Sequence, residues 1–313
     1  YLAISDDGSI IAIGASNNDG NGNNSGHVRV FNWNGTSWSQ MGQDINGEAA
    51  DDYSGRVALS ADGLTLAIGA TSNDGNGNGS GHVRVFNWNG SNWIQKGQDI
   101  NGGAESDYFG RVSISDNGLR LAVGGYNNDG NGDNAGHVRV FNWNGGSWSQ
   151  IGQDIDGEAA GDKSGESTVI SGDGSKIAIG SRYNGGNTGH VRVFSWDGSS
   201  WSQMGQDIDG EAVSDYSGLS TSISFDGTVI AIGAHGNDGN GKNSGHVRVF
   251  QWNGSNWSQL GQDIDGEAAE DESGFDSNGY GISLSNDGTR LAVAAHKNDG
   301  DADSTNDDRG HLR

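Results

Sequence analysis

Between Arg56 and Gly102 the chain falls into four short runs in which apolar residues alternate with polar ones or bunch for a few positions. The first is Val57-Ala58-Leu59-Ser60. The second runs from Leu64 to Ala70, the third from His82 to Trp88 with strict alternation, and the fourth from Trp93 to Ile100. Asp62-Gly63 separates the first two runs and Asn89-Gly90 the last two. Both dipeptides accept the positive φ angles of two-residue hairpin turns. A Gly/Asn loop, Ser72 to Ser80, joins the second and third runs, and an acidic loop, Asn101 to Phe109, leads onward. No segment carries a 3.6-residue apolar period over helical length. The pattern therefore predicts four antiparallel strands and no helix.

The unit recurs along the whole chain. GHVRVF begins at Gly26, Gly81, Gly136, Gly189 and Gly245, and a shortened GHLR begins at Gly310. The boundaries are 1–52, 53–107, 108–162, 163–215, 216–271 and an incomplete 272–313, all within a single domain. A period of about 55 residues lies just above the ~40–50 of four-stranded propeller blades. The expectation is an all-β propeller with five complete four-stranded blades and a three-stranded sixth, either a six-bladed ring or part of a seven-bladed one. A six-bladed closure would leave the last blade without its outer strand and with an open edge. The LAIGA-like runs are expected to line the centre, and the two Trp of each unit to supply bulk further out. The first and last residues read as the interiors of strands, so the chain is expected to be part of a longer one.

Composition alone points elsewhere. Leu, Ile, Val and Phe are 56 of 313 residues and the formal net charge is −24, a combination that ordinarily leaves a chain disordered. Stacking resolves the conflict, because a blade covered on both faces by its neighbours needs few large residues of its own. Several functions drop out. No apolar run reaches membrane-spanning length. The negative charge and the lack of a Lys/Arg cluster speak against nucleic acid. With no Cys, thiolate chemistry is excluded. No nucleophile-elbow, zincin or P-loop motif occurs, and the expectation is a protein that is not an enzyme.

The stretch from Phe109 to Phe141, FGRVSISDNGLRLAVGGYNNDGNGDNAGHVRVF, resembles the FG-GAP repeat, which builds the propeller of integrin α-chains and of many bacterial secreted proteins. Phe109-Gly110 stand at the family's Phe-Gly, where other units have Ser-Gly. Gly69-Ala70 stand at its Gly-Ala-Pro without the Pro. The resemblance implies a propeller of typically seven blades, extracellular or cell-surface placement, and a role in adhesion or recognition. One departure matters: the family's calcium loop joins the first two strands, and here that connection is a tight turn such as Ala61-Asp62-Gly63, with no room to wrap an ion.

Calcium is therefore sought in other loops. Asp299, Asp301, Asp303 and Asp307 in the last unit lie at relative positions 1, 3, 5 and 9, where alternate residues of a tight loop supply converging oxygens. Asp154, Asp156, Glu158 and Asp162 repeat that spacing after the fourth strand of the third unit. Turn-making by Asx residues is the competing reading for both. Arg29, Arg84, Arg139, Arg192 and Arg248 share one face of the GHVRV strand. They are expected between blades, stacked on Trp and paired with acids such as Asp44 or Asp99. Trp38, Trp93, Trp148, Trp201 and Trp257 either close the hydrophobic edge of each blade or form stacking platforms for glycans. The expected function is a non-enzymatic extracellular or surface recognition module with a protein or glycan partner and calcium as its only expected cofactor. A multivalent lectin and a polysaccharide-acting enzyme on the same scaffold are the alternatives.

Overall fold

A computed structural model describes residues 1–276, 279, 281–298 and 310–313. Each repeat folds into one antiparallel sheet. In the second repeat, Arg56–Leu59 pairs with Thr65–Ala70, which pairs with His82–Trp88. His82–Trp88 in turn carries Trp93–Gln95 and Ile100–Asn101 on its outer edge. The first five repeats share this order, and the sixth has three strands, Ile282–Leu284, Leu291–Ala295 and His311–Leu312. The described residues thus form a six-bladed propeller with five four-stranded blades and a three-stranded sixth.

The fourth run is not continuous. It breaks at Lys96–Asp99, because Gly97 sits at φ +83° and a Cβ there would lie 2.7 Å from the Trp143 ring of the next blade. The Gln95 side chain bridges the break by donating to Asp99 at 2.7 Å. Only Gly meets both demands, the left-handed φ and the close approach of an indole.

The LAIGA-like runs do not line the centre. First strands of successive blades contact one another in sequence, so they surround the axis and the LAIGA-like runs stand one strand further out. Their glycines serve a different purpose, the backbone contact between blades. A Cβ on Gly69 would lie 2.0 Å from the Gly110 carbonyl oxygen, and one on Gly180 would lie 1.8 Å from that of Gly218.

The core is divided into layers between neighbouring blades. Ala122, Val138, Val140 and Ile155 of the third blade pack on Ile170, Ile177, Ile179, Phe194 and Trp201 of the fourth and its neighbours. Each layer needs under a dozen large side chains, which is how an apolar-poor chain builds a close-packed interior.

The first hairpins of all six blades meet at one end of the channel. Asp6 N–H donates to Ala61, Ala61 to Asp116, Asp116 to Gly172, Asp173 to Phe225 and Phe225 to Asn286, at 2.8–3.0 Å. The Asn286 side chain then donates to the Asp6 carboxylate at 2.8 Å and completes the circuit. Burial and the nearby carboxylates of Asp6 and Asp173 push the Asp116 carboxyl up.

Away from this end, the sixth and first blades stand apart around a cleft of about 650 Å³ lined by Tyr1 to Ile4, Asp276, Ile282 and Ser283. Leu2 is 64% exposed there, whereas Val57 and Val112 at the same position of the next two blades are 8% and 7% exposed. Leu312, in the third strand of the sixth blade, is 70% exposed. The cleft lies between the facing sides of the two blades, a different place from the outer edge of the sixth blade.

Candidate functional site at the channel mouth

The repeated Arg residues lie between blades. Nη2 of Arg84 donates to the Asn46 carbonyl of the preceding blade at 2.7 Å. Arg139, Arg192 and Arg248 reach the equivalent carbonyls of Asn101, Asp156 and Asp209 at 2.6–2.8 Å. Their acidic partners are glutamates of the preceding blade, Glu48 for Arg84, Glu158 for Arg192 and Glu211 for Arg248. Arg29 is half-exposed and pairs with Asp44 of its own blade at 3.0 Å.

The ring against each Arg is Phe rather than the expected Trp: Phe86, Phe194 and Phe250 lie 5.3–5.4 Å from Arg84, Arg192 and Arg248. The reason is register, since the Phe lies two residues on along the same face of the strand. Arg139 shows what the clamp requires. Gly103 replaces the glutamate, and Phe109, where other units have Ser, brings its ring to 4.2 Å from the guanidinium.

The Trp residues of the fourth run staple blades. Nε1 of Trp93, Trp148, Trp201 and Trp257 donates to Met41, Lys96, Ile151 and Met204 carbonyls of the preceding blade at 2.8–3.2 Å. Trp148, Trp201 and Trp257 are buried. Trp38 is 44% exposed and, with Trp33 at 41%, forms the one open pair among the five.

The acidic residues divide. Asp154 and Asp156 come together with His137, and their ligating atoms lie within 4.8 Å of one another. Glu158 joins His190 and Asp207 across the next interface, and Glu48/His82/Asp99 and Glu211/His246/Asp263 repeat the set. Asp162 stands apart: it is buried and accepts from the Ala159 amide at 2.9 Å and the Asn184 side chain at 3.2 Å. A donor set of one imidazole and two carboxylates suits a transition-metal ion better than calcium, which takes oxygens. In three of the four sets an Arg already lies near the glutamate, as Arg192 does 3.8 Å from Glu158. Burial holds His82, His190 and His246 below their ordinary value despite the neighbouring acids. Asp299, Asp301, Asp303 and Asp307 lie outside the described residues.

The repeat also departs from itself at the mouth of the channel opposite the joined hairpins. The residue that follows the Ser-Gly or Phe-Gly pair is Arg56, Arg111, Glu166 and Leu219 in blades two to five, and Tyr1 precedes the first strand of blade one. The residue just past the second strand is Ser16, Thr71, Tyr126, Arg182, His235 and His296 in blades one to six. The Gly before the first of these positions is kept in blades two to five, as Gly55, Gly110, Gly165 and Gly218, while these residues change. Searching for recurring motifs passes over such positions, whereas aligning the repeats column by column exposes them.

These side chains form a continuous belt. Glu166 sits between Arg182, 2.9 Å away, and Arg111, 3.5 Å away. Arg111 lies over Tyr126 at 5.3 Å, Arg182 over Tyr183 at 4.5 Å and Arg56 over Tyr1 at 4.6 Å. Lys163 lies 5.8 and 5.7 Å from the rings of Tyr126 and Tyr183. Beyond them His235 stacks between Tyr216 and Phe275, at 5.3 and 4.6 Å. Burial pushes His235 down to about 4, so it is neutral at pH 7. Glu272 pairs with Lys297 and lies 3.7 Å from His296. The belt encloses a cavity of about 160 Å³ whose walls include Tyr1, Arg56, Arg111, Glu166, Arg182 and Phe275.

No protein-family model matches the chain, and no curated protein sequence matches it. Solved structures do. TolB from Acinetobacter baumannii superposes with a TM-score of 0.51 at 13% identity, over 86% of this chain and 54% of that one. Hydrazine synthase of Kuenenia stuttgartiensis gives 0.60 at 14% identity, over 94% and 73%. A Bacteroides fragilis protein provisionally named a 6-phosphogluconolactonase gives 0.56 at 14% identity, over 85% and 69%. The chain spans about half the length of the TolB structure. At these identities the likeness is one of fold, and the fold is the β-propeller.

Proposed function

We propose that the chain is a non-enzymatic recognition module built from FG-GAP-type repeats, displayed outside the cell or at its surface, whose ligand contacts lie at the channel mouth. One observation carries this reading: four of the repeated Arg and four of the repeated Trp residues are engaged between blades, while the residues around the mouth differ from blade to blade. A binding site for one ligand is asymmetric, and six equal blades can make one only where they differ. The strongly acidic outer loops fit a medium in which salt screens their mutual repulsion within ~8 Å. Calcium enters the proposal only through Asp299, Asp301, Asp303 and Asp307.

A second reading, a glycan-binding lectin, is favoured by the exposed Trp33–Trp38 pair, since an open indole face is a stacking surface for a sugar. The test is a panel of glycans and matrix proteins probed with the wild-type chain and with Trp38→Ala, while the same ligands, polysaccharides and 6-phosphogluconolactone are followed for turnover by NMR. Binding without turnover supports recognition. Loss of glycan binding in Trp38→Ala moves the site to the first blade. Turnover of any ligand refutes the non-enzymatic reading.

A further inference from the structure

The mouth carries charge opposite to the rest of the molecule. Arg56, Arg111, Arg182 and Lys163 converge there against Glu166, in a chain whose formal net charge is −24. Glu166 is shared between Arg111 and Arg182. Arg56 has no carboxylate partner among the described residues, rests on the Tyr1 ring, and keeps a buried Nη1 without a hydrogen-bond acceptor. A buried guanidinium N–H left unsatisfied is destabilising, and a site that tolerates this is poised for an incoming acceptor. Guanidinium groups bind carboxylate and phosphate oxygens through paired N–H donors, and the aromatic side chains beneath them hold the forks in place.

We propose that the channel mouth binds a small organic anion through its carboxylate or phosphate group, with Arg56 as the free contact and Arg111 and Arg182 completing the clamp. This inference rests on the recognition reading above and names its ligand class. The cavity volume of about 160 Å³ falls below the ~300–1,000 Å³ of pockets that enclose a drug-sized ligand. It therefore accepts an acidic head group with a few carbons, about the size of one sugar acid, and anything larger extends out of the mouth. Glu166 competes with the ligand for two of the three arginines.

The test is isothermal titration calorimetry of the 313-residue chain with D-glucuronate, D-glucose 6-phosphate, inorganic phosphate and neutral D-glucose. The expected result is saturable binding of at least one acid and none of glucose. The preferred acid separates a carboxylate site from a phosphate site, and binding of inorganic phosphate alone would reduce the site to a bare-anion site and overturn the organic ligand. Arg56→Gln should weaken binding at least ten-fold without lowering the thermal midpoint, because Arg56 holds no ion pair among the described residues and its buried Nη1 lacks an acceptor. Glu166→Gln should tighten binding several-fold by removing the carboxylate charge that competes with the ligand for Arg111 and Arg182, a gain that a purely structural Glu166 would not give. The inference is overturned if every acid binds more weakly than ~10 mM, if glucose binds as well as the acids, or if Arg56→Gln leaves affinity intact. Failure here with binding retained on the glycan and protein panel sinks the anion site alone. Acid binding accompanied by turnover sinks the recognition reading alone.

Discussion

Trp201 and Trp38 occupy the same position in two repeats and differ only in what covers them. Trp201 is 3% exposed, packs against Ile177, Ile179 and Phe194, and donates from Nε1 to the Ile151 carbonyl at 3.2 Å. Trp38 is 44% exposed, and its indole makes no hydrogen bond to another blade among the described residues. A buried Trp withdraws ~150–250 Å² from water, which at ~25 cal/mol per Å² is about 4–6 kcal/mol. Large aromatic truncations in cores typically cost ~3–5 kcal/mol, and loss of the indole donor leaves the Ile151 carbonyl unpaired for about 1 kcal/mol more. Trp201→Ala should therefore cost about 4–5 kcal/mol. Trp38→Ala, with about half the burial and no cross-blade hydrogen bond, should cost ~1–2 kcal/mol. Urea unfolding followed by far-UV circular dichroism gives both values under one set of conditions. Equal losses would mean that the first blade is covered in solution as the fourth is, and the argument for a cleft between the sixth and first blades would fail.

Gly180→Ala should lower the thermal midpoint by many degrees or prevent folding, since its Cβ would lie 1.8 Å from the Gly218 carbonyl oxygen; a midpoint unchanged in calorimetry would refute backbone contact between those blades. Phe109→Ser removes a fully buried ring and the partner of Arg139, at about 3 kcal/mol or more. Adding Gly103→Glu restores the clamp of the other blades and should recover ~1 kcal/mol, so urea midpoints that are simply additive would refute the exchange. Burial holds His82, His190 and His246 below their ordinary value and His235 at about 4. The unfolded chain then takes up protons first, so stability is complete above pH ~6.5 and declines as pH falls toward the folded values, with His235 alone contributing about 3 kcal/mol by pH 4. Thermal midpoints should drop from pH 7 to 5 and the slope should flatten in His235→Phe; a midpoint constant over that range contradicts the assignment. Millimolar calcium after EGTA should raise the midpoint, by an amount equivalent to ~2.7 kcal/mol at a hundred times the dissociation constant, and Asp303→Asn should reduce the shift; no shift removes calcium from the proposal.

The propeller was legible because strand period and hairpin chemistry are local. Asp62-Gly63 and Asn89-Gly90 mark turns whatever surrounds them, and GHVRV alternates whether or not its neighbour is known. What escaped was set by contacts between repeats. Gly97 looks like a turn residue, yet its absent side chain admits Trp143 of the following blade. Gly69 looks like channel lining, yet it lets two backbones touch. Spacing placed Asp154, Asp156, Glu158 and Asp162 in one loop, but the fold sends Glu158 across an interface to His190 and turns Asp162 inward onto its own backbone. The mouth was hidden for the opposite reason. Its positions change from blade to blade, Arg recurring only as Arg56 and Arg111 and His only as His235 and His296, so no repeated string marks them.

The charge distribution links these observations. An excess of 24 negative charges would oppose compaction if acids and bases were mixed at random, because self-repulsion grows with net charge. The acids instead lie mainly in loops, where Asp19, Asp74, Asp129 and Asp238 each accept a backbone amide five residues on and so stabilise the turn that exposes them. The bases are drawn inward. Four GHVRV arginines hold the interfaces between blades, and a second group meets at the mouth. The same economy that lets an apolar-poor chain fold leaves one positive opening in a negative shell. The repulsion an anion meets on approach is screened beyond ~8 Å at physiological ionic strength, whereas the guanidinium contacts act at hydrogen-bond range and persist. Selectivity at such an opening falls to the short-range fit of head group to arginine, and that fit depends on Arg56, Arg111 and Arg182, three residues at positions where the repeat does not dictate the side chain.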